Sequence, residues 1–248
     1  MLSVVIITLN EEAKIKACLE SVAWADEIIV VDSLSTDRTV EMARIYTEKV
    51  YQREFAGFGE QKNYALLKAR GDWILSLDAD ERVTDALRIE IQRTLQHTQA
   101  SGFYVPLRYY LPAGRRRHHG WRPVYKLRLF RRDGGRFSDR LVHEDIKVDG
   151  PVEKLKSPME HHPCYSMSTL IKKVDRYSTL GAELMVPAGT RCSCFSALIH
   201  SIAAFVKTYF FSLGFLDGWM GLAIAYSDSA YVFYKYMKCL ELKNRQNR

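Results

Sequence analysis

Asp78 and Asp80 stand two positions apart in Ser76-Leu77-Asp78-Ala79-Asp80-Glu81, directly after an apolar run. Carboxylates at that spacing on a strand-to-loop corner can meet a hard divalent cation, directly or through its waters, and leave other coordination positions to phosphate oxygens. An ion held there neutralises charge growing on a departing phosphate, which is Lewis-acid and template chemistry. The triplet alone is equally well read as a polar turn. Two further carboxylates bear on the choice: Glu11 in Thr8-Leu9-Asn10-Glu11 and Asp32 in Val30-Val31-Asp32-Ser33, each at the end of its own apolar run. Three acidic strand ends on one rim repel one another unless a cation or hydrogen-bond donors compensate. That cost argues for a site.

To share a rim, these carboxylates need parallel strands. Ser3-Val4-Val5-Ile6-Ile7-Thr8 is continuously apolar and β-branched, as expected of a strand covered on both faces, and residues 11–22 follow with amphipathic spacing. The pattern repeats with Glu27-Ile28-Ile29-Val30-Val31-Asp32 and a helix opening near Ser35-Thr36-Asp37, whose side chains can cap free N–H groups. A short strand at 49–51, a helix over 59–69, the Gly71-Asp72 break, a strand over 73–77 ending at Asp78 and a helix over 84–96 complete the alternation. It predicts an α/β fold with a mostly parallel, Rossmann-like sheet and helices on both faces, whose ligands bind beyond the carboxyl ends of the strands. Beyond residue 98 the alternation stops. Strands at 102–105 and 125–130, antiparallel in character, flank a basic loop, Arg115-Arg116-Arg117-His118-His119-Gly120-Trp121, and helical spacing returns from Ser168.

Composition is compatible with this. A chain of 248 residues with 47% hydrophobic and 26% charged residues buries a sizeable core without staples and lies far from the signature of disorder. Five cysteines, with no second pair near Cys192 and Cys194, read as free thiols of a reducing cytoplasm rather than a disulfide framework or a zinc site. The apolar N-terminus lacks a basic n-region and reads as a buried strand. A net charge of +7 suits anionic partners. The basic residues are dispersed and form no recognised reader motif, so nucleic acid is not an expected partner.

The quoted segments resemble, in order and at typical spacing, the family-2, GT-A fold, inverting glycosyltransferases. The resemblance is carried by Ser3-Val4-Val5-Ile6-Ile7-Thr8-Leu9-Asn10-Glu11, by Ile29-Val30-Val31-Asp32-Ser33 with Ser35-Thr36-Asp37-Arg38-Thr39, and by Gln61-Lys62-Asn63-Tyr64-Ala65 ahead of 71–81. It implies a nucleotide-sugar donor, with Thr8, Asn10, Glu11 and Asp32 lining the nucleoside pocket. It also implies that Asp78, Ala79 and Asp80 serve the ribose, phosphates and a Mg²⁺ or Mn²⁺ ion, and that Lys62 faces the diphosphate; an ordinary exposed helix lysine is the alternative there. The expected organisation is a catalytic domain over 1–166, with a nucleotide-binding half 1–98 and an acceptor-binding half 99–166, followed by helices over 167–248. A sugar-1-phosphate nucleotidyltransferase would need a glycine-rich loop after the first strand, and Thr8-Leu9-Asn10-Glu11 has none. A binding module that has lost catalysis would have a damaged acidic motif, whereas Asp78, Asp80 and Glu144 are all present.

Inversion requires a general base for the acceptor hydroxyl. Leu141-Val142-His143-Glu144-Asp145 resembles the family's acidic motif and makes Glu144 the first choice, with Asp145 the alternative; an acidic pair capping a loop is the plain reading. His161-His162-Pro163 follows, and His162, by its distance to Tyr165, is the histidine expected to close the metal shell, unless the two rings simply face solvent.

The arginine run, Arg128-Leu129-Phe130-Arg131-Arg132, the 172–178 segment and Gly214-Phe215-Leu216-Asp217-Gly218 are similar to bacterial lipopolysaccharide-core β-glucosyltransferases that act on inner-core heptose. That similarity implies UDP-glucose and a lipid A-core glycolipid acceptor, although a few pocket residues can change the sugar. An anionic acceptor suits the planar, multidentate donors of Arg115, Arg116 and Arg117, with Trp121 beside them; a solvated basic loop is the alternative. From Phe195 onward the chain is rich in aromatics interrupted by charges, and no charge-free run approaches the roughly 20 residues that span a bilayer. The expectation is amphipathic helices at an anionic membrane surface, peripheral on the inner face of the cytoplasmic membrane, or alternatively helices packed on the catalytic domain or against a second copy.

Overall fold

The computed structural model of the chain describes residues 1–118, 124–138, 146–163 and 166–246. Its elements run β1 (Leu2–Thr8), α1 (Glu12–Ser21), β2 (Glu27–Asp32), α2 (Thr39–Arg44), β3 (Val50–Gln52), α3 (Phe58–Lys68), β4 (Trp73–Asp78), β5 (Glu81–Val83), α4 (Asp85–His97), β6 (Gly102–Tyr109), β7 (Val124–Arg131), β8 (Gly135–Phe137), β9 (Ile146–Val148), β10 (Val152–Lys154), β11 (Met159–His161), α5 (Met167–Met185), α6 (Cys194–Val206) and α7 (Gly218–Gln246).

The sheet has the order β3-β2-β1-β4-β7-β6-β11-β5, with β10 on β6, and β8 pairs with β9 separately. Its first four strands are parallel, as the apolar runs predict: β1 and β2 are buried almost throughout and need cover on both faces. β7 pairs antiparallel with both β4 and β6, β11 pairs antiparallel with β5, and β10 lies parallel to β6, so the whole is mixed. The register sets Thr8 beside Asp32 and Ile7 beside Asp78, which brings the acidic strand ends to one level. The short strands β5 and β8 to β11 carry no periodic signal and are defined by their partners.

One face of the sheet is covered by α3 and the β8–β9 pair, where Val5, Ile29, Ile74 and Phe130 pack with Ala65 and Phe137. Phe130 and Phe137 meet edge to face at 5.9 Å, and a Cβ on Gly135 would lie 2.1 Å from the Phe130 ring, so only glycine fits there. Burying a side chain of Phe137's size contributes about 1.5–3 kcal/mol. At the opposite end of the strands, Glu27 is the hub of a knot: it accepts from Ser3 Oγ, pairs with Lys49, and takes the Arg70 N–H at 2.8 Å. Gly71 N donates to Ser3 Oγ at 2.8 Å, and a Cβ on Gly71 would lie 2.7 Å from the Ser3 backbone nitrogen, which accounts for the Gly71 break.

The chain forms two compact units, 1–108 with 124–162, and 109–123 with 163–248. Residues 109–118, expected with the acceptor-binding half, therefore belong with the C-terminal helices. In that second unit α6 continues through a π-helical turn, Lys207–Phe211, and a 3₁₀ turn, Gly214–Asp217, leads into α7. α6 and α7 run antiparallel, with His200 stacked on Tyr236 at 5.0 Å and Ser229 Oγ donating to Ser201 O at 2.9 Å. Lys238 Nζ reaches back to Asp175 of α5 at 2.8 Å. Among the described residues, Cys194–Phe211 is a helix long and apolar enough, by length and composition, to cross a membrane; it contains one charge, Lys207, and is 11% buried.

Candidate active site

The loops after β1 and β2 interlock. Asp32 is fully buried, and its carboxylate accepts the Ser35 N–H at 2.8 Å, the Ser35 hydroxyl, and Gln52 Nε2 at 3.3 Å. Asn10 accepts the Thr36 N–H at 2.8 Å and donates its own N–H to Ser35 Oγ at 2.8 Å, while Glu11 N donates to Thr39 Oγ1 at 2.8 Å. Asp37 accepts from the Glu12 and Thr39 backbones. The side chains at 35–37 therefore reach across to the β1 loop, and the helix expected to open there starts at Thr39. This lattice holds Asn10 and Leu34 at φ 53° and 64°, the left-handed region that non-glycine residues adopt only when their surroundings enforce it. Thr8 is buried beneath, and Glu11, half-buried, pairs with Lys14 at 3.0 Å.

A second cluster lies where β4 ends. Asp78 Oδ1 is 2.9 Å from Lys62 Nζ and Asp78 Oδ2 is 2.8 Å from Arg128, which also pairs with the buried Glu81. Burial raises the Asp78 carboxyl, but the two cations outweigh it and hold the group well below the usual carboxylate range. Burial and the Asp78 charge push Glu81 up. The Cys18 thiol, under the same carboxylates, is pushed up by burial and by their charge. Asp80 faces differently. Its Oδ2 is 3.3 Å from His161 Nε2; burial alone would raise Asp80 and lower His161, yet the pairing leaves Asp80 below and His161 above their ordinary values.

The Gln61-Lys62-Asn63 segment on α3 makes three separate fastenings. Gln61 Nε2 donates to Ser33 Oγ at 2.9 Å, Lys62 pairs with Asp78, and Asn63 exchanges two 3.0 Å hydrogen bonds with the Phe137 backbone. Successive helical residues point about 100° apart, so one turn can hold the β2 loop, the end of β4 and the end of β8 together. Phe137 directly precedes the segment that leads to the acidic motif.

Several expectations change. Lys62 is 2% exposed, neither an exposed helix lysine nor turned toward solvent: its amine lies on Asp78. The ring beside Asp80 is that of His161; His162 Nε2 faces Glu160 at 3.1 Å, and only its backbone N–H reaches Asp80 O, at 2.8 Å. Ala79 is buried. Glu144, Asp145 and Trp121 lie outside the described residues. Arg115, Arg116 and Arg117 belong to the helical unit. Sequence reasoning missed Arg128 and Glu81, whose signal was an arginine within an apolar strand and a third carboxylate adjoining the triplet.

Among the described residues no three of His, Cys, Asp and Glu gather closely enough to hold a metal ion. Asp80 and His161 offer one oxygen and one nitrogen donor, which fits an ion that completes its shell with diphosphate oxygens and water.

Residues 3–148, more than half of the chain, match the family model described as Glycosyl transferase family 2. The lipopolysaccharide core biosynthesis glycosyltransferase LpsC of Rhizobium meliloti (strain 1021) is 31% identical over 99% of this chain and 95% of its own length. The low-salt glycan biosynthesis hexosyltransferase Agl6 of Haloferax volcanii is 43% identical across 86 residues, 32% of this chain and 21% of that one. Among solved structures, S. aureus TarS 1–349 in complex with UDP-GlcNAc superposes with a TM-score of 0.51 at 16% identity, covering 100% of this chain and 92% of that one. That last likeness is one of fold, and the fold is of the GT-A type.

Proposed function

Since this chain belongs to glycosyl transferase family 2, we propose that it transfers a hexose, glucose, with inversion from UDP-glucose to an inner-core heptose of a lipid A-core glycolipid, working peripherally on the inner face of the cytoplasmic membrane. The observation that carries the reading is the similarity to LpsC, which spans nearly the full length of both chains and so includes the acceptor-side sequence as well as the donor-side motifs.

In this reading the interlocked loops around Asp32, Asn10 and Glu11 form the nucleoside side of the donor pocket, with Thr8 beneath. Asp80 and His161 would hold Mg²⁺ or Mn²⁺ together with the diphosphate, a revision of the assignment to His162. The ion supplies Lewis-acid stabilisation of the leaving diphosphate. Asp78, neutralised by Lys62 and Arg128, is a positioned hydrogen-bond acceptor for the donor rather than a second free charge. Lys62 acts through Asp78. Glu144, or failing it Asp145, takes the proton from the acceptor hydroxyl, and Arg115, Arg116, Arg117 and Trp121 recognise the anionic acceptor.

The test is a donor-hydrolysis screen over UDP-, GDP- and ADP-sugars, each with Mg²⁺, with Mn²⁺ and with chelator. The expected result is turnover of UDP-glucose only when the divalent ion is present. Equal turnover in chelator removes the metal from the reading, and hydrolysis confined to GDP- or ADP-sugars removes the donor.

A further inference from the structure

The helical unit carries an apolar surface whose borders are basic. Phe195, Leu198 and Ile202 share one face of α6 at spacings of three and four, and all stand exposed. Phe211, the last residue of the π-helical turn, is 73% exposed and Trp219, in the first turn of α7, is 70% exposed. Side chains of this size left open in one stretch mark a surface that something else covers.

The charges around this surface distinguish the possible occupants. Between Arg191 and Ser227 the one carboxylate is Asp217, and it is 2% exposed, accepting the His118 N–H at 3.1 Å and lying 2.7 Å from the His118 ring. Arg191 and Lys207 are exposed in the same stretch. The His118–Asp217 contact also fastens the arginine loop to the turn that precedes α7, where Arg115 donates to Leu216 O at 3.3 Å. Arg115 and Arg116 are themselves exposed. A second copy meeting this face would bring like charges together, whereas an anionic bilayer offers hydrocarbon for the rings and phosphates for the guanidinium groups.

The α6 helix does not cross such a bilayer in this arrangement. It packs antiparallel to α7, with Thr208 Oγ1 donating to Asp228 at 2.8 Å, and α7 carries Lys235 and Lys238 along the same length. Threading the pair through hydrocarbon would take those charges with it.

We propose that the elbow formed by the α6 face, Phe211 and Trp219, with Arg115 and Arg116 at its border, is the surface by which this protein docks onto an anionic lipid bilayer. This rests on the reading of a lipid-borne acceptor and names the surface that meets the leaflet carrying it.

The experiment is flotation of the full-length protein with phosphatidylcholine vesicles, with and without phosphatidylglycerol. Three proteins are compared: wild type, Phe211→Ser/Trp219→Ser, and Arg115→Glu/Arg116→Glu. The arginine variant is expected to lose roughly 30-fold of its affinity for the anionic vesicles, about fivefold for each of the two charge contacts removed. The aromatic variant is expected to lose binding to both vesicle types while keeping wild-type circular dichroism and UDP-sugar hydrolysis. Wild-type flotation of the folded aromatic variant overturns the proposal. So does sedimentation as a dimer that those two substitutions dissociate, with no vesicle binding by wild type, which makes a second copy the occupant. Vesicle binding as expected without hydrolysis of any nucleotide sugar keeps the docking surface and removes the transferase reading; the converse keeps the enzyme and removes the surface.

Discussion

Lys62 Nζ lies 2.9 Å from Asp78 Oδ1, a buried amine on a part-exposed carboxylate at the carboxyl end of the sheet. A lysine from the middle of α3 thus reaches the first carboxylate of the Asp78-Ala79-Asp80 triplet, and Arg128 holds the other oxygen. The two acids of the triplet consequently differ. Asp78 is neutralised by side chains of its own chain, while Asp80 has a histidine, a group that can share a ligand role with it.

Lys62→Met should separate positioning from charge. Asp78 would keep Arg128, so the loss in stability is expected near 1–3 kcal/mol rather than the 3–5 kcal/mol of a fully broken buried pair. Turnover of the donor should fall by roughly 100-fold with a smaller change in KM, as for an interaction needed to hold the reacting geometry. Chemical denaturation and steady-state kinetics on one preparation check both, and an unchanged kcat would remove Lys62 from the site.

His161→Ala and His162→Ala should differ although the residues are adjacent. The first should weaken the divalent-ion requirement curve by at least about tenfold in the presence of UDP, since it removes one of two protein donors. The second should stay within about threefold of wild type. Titration of Mn²⁺ against hydrolysis measures both, and equal effects would return His162 to consideration.

In the proposed site Asp80 and His161 supply only two donors, so a divalent ion should bind tightly only together with the diphosphate. Calorimetry is expected to give weak binding of Mn²⁺ alone and clear binding in the presence of UDP. Tight binding without nucleotide would point to ligands beyond these two.

Asn63→Ala should leave the Phe137 N–H and C=O without their two 3.0 Å partners. Losing two such bonds is expected to lower stability by about 2–4 kcal/mol. Asn63→Asp, which keeps the acceptor and loses the donor, should fall between. Urea unfolding orders the three proteins, and an Asp variant as unstable as Ala would assign the effect to packing instead.

Glu27 supplies a pH dependence whose sign follows from its partners. Burial raises its carboxyl, but the bonds from Lys49, Ser3 and Arg70 N hold it below the ordinary value. A depressed folded pKa contributes stability that is present above the unfolded value of about 4.3 and disappears as the pH falls through the folded one. Glu27→Gln should therefore be less stable than wild type at neutral pH, with the gap closing below about pH 4.3. A gap that persists unchanged into acid would mean that shape, not charge, holds the knot.

Glu144→Gln tests the assignment of the base. UDP binding in the presence of metal should survive while transfer is lost; near-normal turnover would exclude Glu144 and leave Asp145 to be tried.

Much of the frame of the candidate site was determined by the sequence alone. The apolar runs of β1, β2 and β4 each end in a carboxylate, and continuous β-branched runs can be stable only as covered, parallel strands, so the common rim follows from local pattern. The Gly71 break and the helices over α1, α3 and α4 follow from similarly local signals. The partners of those carboxylates did not. Lys62, Arg128 and His161 reach Asp78 and Asp80 from positions 16 to 81 residues away in the chain, as the numbering shows, and such distances leave no periodic trace. The choice between His161 and His162 turns on the pairing of His161 with Glu81 across β11 and β5. Neighbouring residues leaving a strand point to opposite sides, so one ring meets Asp80 while the next meets Glu160. The arginine loop shows the same limit: its composition was plain, but only the tertiary contacts of His118 with Asp217 and of Arg115 with Leu216 O seat it, because a buried carboxylate must find its donors wherever the fold presents them.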